Sequence, residues 1–306
     1  MKVLITGAAG FIGSHMMRSF RDAGYEVAGI DLAAKEGVLN VDITDYQSLE
    51  RTIVRERPDA VVHLAAISGT TGKNEIEQSL RQPHLNFKVN AYGTANVCEA
   101  CRTAGVDRLV YMSTFAVYGK LEKERLPITE RTPTSAHHAY AVSKLMGEDI
   151  VRTYSEDFGL KSVIFRAPFI AGEYQKERNV LREFVEAAIA DGELVIFGDG
   201  GHVREFIYPS DLAKAFIRAV EFTENMKPNC DLFVLGNEPV SISKLAELVI
   251  KRVGRGRVKH IGKSDRSFDQ YSDFSKARQL LSWSPELGVE QIISRILSSE
   301  YSYPRL

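Results

Sequence analysis

Tyr140 and Lys144 are the two side chains in this sequence whose types and spacing best suit proton transfer. On a helix they lie one turn apart on the same face, so the ammonium can approach the phenol. A nearby ammonium stabilises the phenolate and lowers the pKa of the phenol towards neutrality. Thr114, which follows an apolar run of strand length, can donate to the same substrate oxygen. These three residues predict acid–base catalysis of an alcohol–ketone conversion, although a Tyr-x-x-x-Lys pair by itself is commonly structural.

The start of the chain predicts a turn that binds a dinucleotide. The apolar run Lys2–Thr6 has strand length, and Gly7, Gly10 and Gly13 follow it before a helical pattern that stops at Gly24. Glycines allow the tight turn and the close approach of a pyrophosphate, which the N–H groups at the helix N-terminus attract. The spacing is Gly-x-x-Gly-x-x-Gly rather than the usual Gly-x-Gly-x-x-Gly, so a purely structural turn is the alternative.

Asp31 follows the second predicted strand, Glu26–Ile30. A carboxylate at this place accepts hydrogen bonds from the adenosine ribose hydroxyls and repels a 2′-phosphate, which favours NAD over NADP. Lys35 is the nearby cation, and an aspartate that only caps the end of the strand is the alternative interpretation.

Strand and helix patterns alternate as far as Arg166, which predicts an α/β fold with a doubly wound parallel sheet. Thr114 then lies beyond the carboxyl end of a strand, where such sheets place their chemistry. Residues 167–306 show a mixed pattern and predict a smaller α/β lobe for the substrate, with about 203–230 returning to the first domain (1–166). Two long helices are predicted at His84–Thr103 and His138–Asp157.

The composition argues against several classes of protein. With 306 residues and a net charge of −1, the chain gives no electrostatic reason to bind nucleic acid or an anionic membrane. It contains no apolar run long enough to span a bilayer, and its three cysteines are too few for a disulfide framework. Cys98 and Cys101 are interpreted as packing residues rather than metal ligands, and a cytoplasmic protein without a metal is expected.

At this point the chain resembles the extended short-chain dehydrogenase/reductases, and among them the NAD-dependent nucleotide-sugar epimerase/dehydratase group, which have a Rossmann domain. The matching segments occur in the family's order over nearly the whole chain. They are Thr6–Gly13, Asp31, Val62–Ala66, Asn90, Ser113–Thr114, Val117–Gly119, Tyr140–Lys144, Gly198–Gly201, Arg204–Asp211 and Ser282–Pro285.

The resemblance implies a role for each matching residue. The catalytic residues are Thr114, Tyr140 and Lys144. NAD would contact Gly7, Gly10, Phe11, Ile12, Gly13, Asp31, Asp42, Ile43, Leu64, Ala65, Ala66, Asn90, Ser113, Tyr140, Lys144 and Pro168. The nucleotide sugar would contact Thr114, Phe169, Asn179, Val180, Phe197, Arg204, Lys263 and Arg266. Family members are often homodimers packed through the two long helices.

Two departures from the pattern of the family's epimerases concern the substrate. Phe169 occupies a segment in which many epimerases have an asparagine, and the second arginine that commonly grips the diphosphate has only Lys263 or Arg266 as its counterpart. The reaction is indicated by another difference, since dehydratases carry Asp-Glu after the strand-end threonine, whereas Phe115 and Ala116 stand here. We therefore expect a nucleotide-sugar 4-epimerase similar to UDP-glucose 4-epimerase. The alternatives are a nucleotide-sugar 4-ketoreductase or sugar dehydrogenase and, more remotely, a non-catalytic dinucleotide-sensing regulator, which would typically lack the Tyr–Lys pair.

Overall fold

A computed structural model describes residues 1–67, 82–175, 179–227, 229–262 and 268–301. Its main feature is a seven-stranded parallel sheet. The strands of the chain are Lys2–Thr6 (β1), Glu26–Asp31 (β2), Leu39–Asn40 (β3), Ala60–His63 (β4), Arg108–Met112 (β5), Lys161–Arg166 (β6), Phe169–Ile170 (β7), Glu193–Phe197 (β8), Val203–Arg204 (β9), Phe206–Ile207 (β10), Cys230–Val234 (β11), Val240–Ser241 (β12) and Arg257–Ile261 (β13). The order across the sheet is β11-β6-β5-β4-β1-β2-β3, so the predicted doubly wound α/β sheet is confirmed.

Helices cover both faces of this sheet. The helices are Phe11–Asp22 (α1), Tyr46–Glu56 (α2), Pro83–Asn86 (α3), Gly93–Ala104 (α4), Ala139–Phe158 (α5), Val180–Ile189 (α6), Pro209–Phe222 (α7), Ile242–Val253 (α8), Ser275–Leu281 (α9) and Val289–Glu300 (α10), with short 3-10 turns at Phe115–Tyr118 and Lys123–Arg125. None of the helices in these described ranges has the length and apolarity needed to cross a bilayer.

The strand β1 shows why its sequence is a continuous apolar run. Val3 and Ile5 belong to the core cluster on one face of the sheet, and Leu4 belongs to the cluster on the other face. All three are fully buried, because successive side chains of a strand point to opposite faces and helices cover both. β1 pairs with β2 and β4, which places Thr6 beside His63.

One long helix is predicted at His84–Thr103, and the backbone is helical from Pro83 to Ala104, with a change of helix type in its centre. A π-helical turn, Phe87–Tyr92, separates α3 from α4. Such turns change the direction of side chains and are frequent at functional sites. Asn90 lies within this one, and Gly93 follows it, where a Cβ atom would come within 2.6 Å of Ile43 Cδ1.

The C-terminal half of the chain builds a second core and also contributes to the main sheet. α6, α8 and α10 pack around this second core, which includes Phe184 and Leu245. The small sheets β10-β7, β12-β9 and β13-β8 lie in this half. Meanwhile α7 packs against α1, and β11 pairs with β6 at the edge of the parallel sheet. The chain therefore passes between the two regions more than once.

Candidate active site

The glycine turn is built as a cradle for an anion. Gly7 has a φ of +72°, and a Cβ atom there would lie 2.8 Å from the backbone nitrogen of Ala65. A Cβ atom at Gly13 would collide with the carbonyl oxygen of Gly7. Gly10 is the N-cap of α1 and offers no side chain to the N–H groups of its first turn, which begins at Phe11. The turn therefore needs glycine and leaves donors for a phosphate.

The predicted adenosine end of the site is formed by side chains that order the adjoining backbone. Asp31 accepts hydrogen bonds from the N–H groups of Ala9 (3.0 Å) and Ala33 (2.8 Å). Asp42 accepts one from the N–H of Thr44 at 2.8 Å. Ile43 is 5% exposed, and its carbonyl accepts from the amide of Asn96 on α4. The carboxylate of Asp31 thus lies directly against the glycine turn.

The segment after β4 forms the floor beside the glycine turn. The N–H groups of Leu64 and Ala65 both donate to Thr6 Oγ1, at 3.1 and 3.0 Å. Ala66 is exposed. The side chain of Asn90 holds the next residue, Ile67, through its N–H and its carbonyl, at 2.8 and 3.0 Å. These bonds fix the backbone on which the resemblance places a dinucleotide.

The helix α5 carries Tyr140 in its first turn and Lys144 one turn later. Lys144 is 3% exposed, and its ammonium lies 4.1 Å from the centroid of the Tyr111 ring. Burial lowers the pKa of Lys144 to about 7, although the charge of Glu148 acts in the opposite direction. The structure thus places a buried ammonium, close to its titration point, on the helix that carries the predicted acid–base phenol.

The sequence alone did not suggest a role for His138 beside the catalytic helix. The rings of His138 and Tyr140 are nearly parallel, with centroids 6.2 Å apart. His138 Nδ1 accepts from the N–H of Ala141 and so caps α5. Burial lowers the pKa of His138, which keeps it neutral and able to accept this hydrogen bond. A histidine among the N-cap positions of a predicted helix was the available signal.

Ser113 and Thr114 follow β5, and their hydroxyl groups form different kinds of hydrogen bond. Thr114 Oγ1 accepts from the N–H of Ala116 at 3.1 Å, which leaves the hydroxyl proton to donate to a substrate. Ser113 Oγ donates to Glu148 Oε1 at 2.5 Å, and its N–H donates to the carbonyl of Phe165. Both hydrogen-bond donors of Ser113 are therefore committed, so the cofactor contact predicted for this residue can use only its acceptor oxygens or its carbon atoms. Pro168 is half-buried between β6 and β7.

Two residues predicted to bind the substrate lie at the start of α6. Asn179 is its N-cap and accepts from the N–H of Arg182 at 2.9 Å. Val180 is the first helical residue. Phe169 stacks on Phe206, with ring centroids 5.9 Å apart, so it packs against the second core. These residues lie in the region expected to hold the substrate.

The remaining predicted substrate residues are more scattered. Phe197 ends β8 with 41% of its surface exposed. Arg204 is buried, donates to the carbonyls of Val203 and Phe268, and lies 4.7 Å from the Phe268 ring centroid. Burial lowers the pKa of Arg204 to about 10. Lys263 and Arg266 lie outside the described residues.

The later motifs have a structural use that the sequence did not reveal. The buried carboxylate of Asp211 accepts from the N–H groups of Glu286 and Leu287, at 3.0 and 2.9 Å. The indole N–H of Trp283 donates to the carbonyl of Asp211 at 2.8 Å. Asp211 thereby joins α7 to the segment after α9.

The residues present fit NAD, because the glycine cradle, the uncapped helix and Asp31 all lie at one edge of the sheet. Among the residues that the structure describes, no three side chains of the metal-binding types are clustered closely enough to hold a metal ion.

Comparisons with known proteins agree with this geometry. The model of the NAD dependent epimerase/dehydratase family matches residues 3–236. A putative UDP-glucose 4-epimerase of Methanocaldococcus jannaschii is 29% identical over 311 residues, which cover 97% of each chain. The UDP-glucose 4-epimerase of Thermotoga maritima, solved with UDP-glucose, has a TM-score of 0.85 at 25% identity and covers 97% of this chain and 98% of its own. That of Thermus thermophilus, solved with NAD, has a TM-score of 0.83 at 28% identity, with the same coverage.

The matches confirm the family, the fold class and the NAD cofactor that the sequence predicted. They extend over nearly the whole chain, including the mixed C-terminal half. The chain therefore belongs to the NAD dependent epimerase/dehydratase family.

Proposed function

We propose that this enzyme is an NAD-dependent 4-epimerase of a nucleotide sugar, with UDP-glucose and UDP-galactose as the first candidates. The observation that carries the proposal is the buried Lys144 ammonium on the same helix as Tyr140, at the carboxyl edge of a sheet with a dinucleotide turn. The relatives that are named UDP-glucose 4-epimerases support the choice of substrate.

Each catalytic residue has a defined task in this proposal. Tyr140 removes the proton of the sugar hydroxyl and later returns it to the same oxygen. Thr114 donates its hydroxyl proton to that oxygen, since its contact with the N–H of Ala116 does not use this proton. The Lys144 ammonium stabilises the phenolate of Tyr140. NAD supplies, when bound, a hydride acceptor and donor at the sugar carbon.

Elimination of water is disfavoured by the residues after Thr114. Phe115 is 2% exposed and packs in an apolar cluster with Val117, and Ala116 has no functional group. Neither position can supply the acid or base that a dehydratase needs. Oxidation followed by reduction at one carbon remains the reaction that these residues can support.

We expect Tyr140→Phe to abolish interconversion of UDP-galactose and UDP-glucose while NAD binding is retained, because the variant removes only the hydroxyl. The assay follows the conversion of UDP-galactose and a panel of other nucleotide hexoses by the purified protein. Tyr154→Phe is the matched control, since Tyr154 lies on the same helix and its hydroxyl donates to Glu99. Full activity of Tyr140→Phe would remove Tyr140 from the mechanism, and no conversion of any sugar by the wild type would contradict the epimerase.

A 4-ketoreductase is the second candidate. It is favoured because Phe169, which packs against Phe206, lies in a segment in which many epimerases have an asparagine amide. An epimerase regenerates its cofactor in each cycle, whereas a reductase must exchange it. NAD that copurifies with the protein supports the epimerase, and an apo protein that consumes NADH with a keto-sugar nucleotide supports the reductase.

The proposal extends to assembly and location. Tyr92 and Met146 are exposed apolar side chains, 54% and 44%, on the two long helical segments. They support a homodimer packed through these segments, which light scattering after size-exclusion chromatography would detect as a doubled mass. A cytoplasmic location belongs to the same proposal, and it is supported by the low cysteine content of the chain.

A further inference from the structure

His63, at the end of β4, is a titratable side chain that the proposed mechanism does not use. It is 1% exposed and lies between two hydroxyl groups. Its Nδ1 is 2.7 Å from Thr6 Oγ1, and its Nε2 is 2.9 Å from Thr94 Oγ1 on α4. A fully buried imidazole with two short polar contacts must occupy one tautomer if every donor is to find an acceptor.

The neighbouring bonds determine that tautomer. Thr94 Oγ1 donates its proton to the carbonyl of Asn90 at 2.6 Å, so it accepts from His63 Nε2–H. Thr6 Oγ1 already accepts from the N–H groups of Leu64 and Ala65, so it donates its proton to His63 Nδ1. The hydroxyl groups of Thr6 and Thr94 and both ring nitrogens of His63 have suitable hydrogen-bond partners when His63 is neutral and carries its proton on Nε2.

The hydrogen-bonded series Thr6–His63–Thr94–Asn90 connects the backbone beside the glycine turn with the helix α5. At one end, Thr6 fixes the backbone of Leu64 and Ala65, against which Gly7 packs. At the other end, Thr94 bonds the backbone carbonyl of Asn90, and the side-chain amide of Asn90 donates to the carbonyl of Ile67 and to Ser143 Oγ, both at 3.0 Å. Ser143 Oγ then donates to the carbonyl of Tyr140 at 2.8 Å.

The charges around His63 favour its neutral form. Its ring lies 5.5 Å from that of Tyr111, over which the Lys144 ammonium sits. Burial, and then the charge of Lys144, lower the pKa of His63 to about 3. The nearby carboxylate of Glu148 is held by Arg166. A protonated imidazole here would repel the ammonium and break the hydrogen bond from Thr6.

We infer that His63 is a positioning residue, whose neutral ring holds the dinucleotide-binding floor and the catalytic helix at a fixed relative position. Both of its ring nitrogens bond threonine hydroxyls, so it acts on the catalytic helix through Thr6, Thr94, Asn90 and Ser143. The effect on turnover rests on the proposed epimerase activity, whereas the coupling of the two segments does not.

The test replaces Thr94 by valine, which keeps the shape and removes the hydroxyl that links His63 to Asn90. We expect kcat of the NAD-loaded enzyme to fall about 10- to 100-fold with little change in KM, because small displacements of reacting groups cost rate rather than binding. The acid limb of the kcat pH profile should move to higher pH, since the misplaced helix supports the phenolate less well. Thr94→Ser, which restores the hydroxyl, should recover most of the rate.

Thr223→Val is the matched control, because Thr223 is fully buried and its hydroxyl bonds the carbonyl of Val220, which is not part of the hydrogen-bonded series of His63. The kcat values are divided by the folded fraction that circular dichroism gives at each pH, so a partly unfolded Thr94→Val sample still gives an answer. A Thr94→Val enzyme with the wild-type kcat and pH profile would overturn the inference.

Amide hydrogen exchange separates this inference from the proposed function. In Thr94→Val, but not in Thr223→Val, exchange should accelerate both at residues 64–67 and at the start of α5, whether or not any sugar is converted. Unchanged exchange in either segment would overturn the coupling. Faster exchange in both segments of a protein that converts no nucleotide sugar would support the coupling while contradicting the epimerase.

Discussion

Lys144 and Arg166 are two buried cations near the same carboxylate, and the structure treats them in opposite ways. Arg166 is bound by both oxygens of Glu148, at 2.9 and 2.6 Å, and also donates to Tyr118. Lys144 lies one turn before Glu148 on α5, but among the described residues it forms no salt bridge. Instead its ammonium rests on the face of Tyr111.

The difference shows in their protonation. Burial favours the neutral form of both side chains, and it lowers the pKa of Lys144 to about 7. For Arg166 the hydrogen bonds and the charge of Glu148 outweigh burial and raise the pKa. The Arg166–Glu148 pair stabilises the fold, whereas the Lys144 ammonium, which has no carboxylate bound to it among the described residues, can interact with a ligand or a phenolate. Partners, rather than depth of burial, separate the structural cation Arg166 from Lys144, the cation proposed to be catalytic.

The largest effect of these substitutions is expected on kcat when Lys144 is replaced. Lys144→Met should lower kcat for the nucleotide sugar by about 10²- to 10⁴-fold, the usual range for loss of acid–base assistance. The unfolding free energy should be retained or rise, because a desolvated charge is replaced by an apolar chain of similar length. Steady-state kinetics and urea unfolding measure the two quantities. Activity within threefold of the wild type would mean that Lys144 is only a packing residue.

The next largest effect is expected on the unfolding free energy when Glu148, the carboxylate that binds Arg166, is replaced. Glu148→Gln leaves the Arg166 guanidinium buried without its carboxylate and also weakens the contacts of Ser113 and Arg152. We expect a loss of about 3–5 kcal/mol in the unfolding free energy, the usual cost of breaking a buried pair. Chemical denaturation gives this value directly. A loss below about 1 kcal/mol would contradict the structural role of the pair.

The smallest effect is expected from the same substitution at another buried glutamate. Glu205 is 1% exposed and is bonded by the N–H and the hydroxyl of Ser272 rather than by a cation. Burial raises its pKa to about 8, so it already carries a proton at neutral pH. Glu205→Gln should therefore change the unfolding free energy by less than about 1 kcal/mol at pH 4, where this carboxyl is largely protonated in the unfolded chain as well.

The pH dependence of that comparison has a definite sign. The folded pKa of Glu205 lies above its unfolded value, so the native state binds the extra proton between pH 4.5 and about 8. The wild type should lose this contribution to stability as the pH rises through that interval. Glu205→Gln should consequently become more stable relative to the wild type at pH 8.5 than at pH 6. A relative stability that does not change between pH 6 and pH 8.5 would show that Glu205 is already ionised in the folded protein at pH 6.

The N-terminal half was predictable because its signals are local. A strand, a glycine turn and a helix occupy Lys2–Asp22, and the spacing of apolar residues and glycines that predicts them lies within a few positions of the chain. The spacing of Tyr140 and Lys144 likewise places them on one helix without further information. The helix predicted at His84–Thr103 is present, but the periodic pattern did not indicate the π-helical turn in its centre.

The C-terminal half was less predictable because its residues find their partners far along the chain. Asp211 binds the backbone near Leu287, and Arg204 reaches the carbonyl of Phe268. Ile128 lies in a charged, proline-containing stretch, yet it is fully buried and pairs with Ser272. Neither periodicity nor local composition indicates such contacts.

The sequence by itself determined the elements and the chemical groups of this protein: a parallel α/β sheet, a glycine turn for a dinucleotide, and a threonine, a tyrosine and a lysine for proton transfer. Only the tertiary structure decided which buried charges are neutralised, that His63 is a neutral link between two strands and a helix, and that Lys144 is left without a carboxylate among the described residues. The physical reason is that secondary structure follows from neighbouring residues, whereas burial and hydrogen-bond partners depend on segments that meet only after folding.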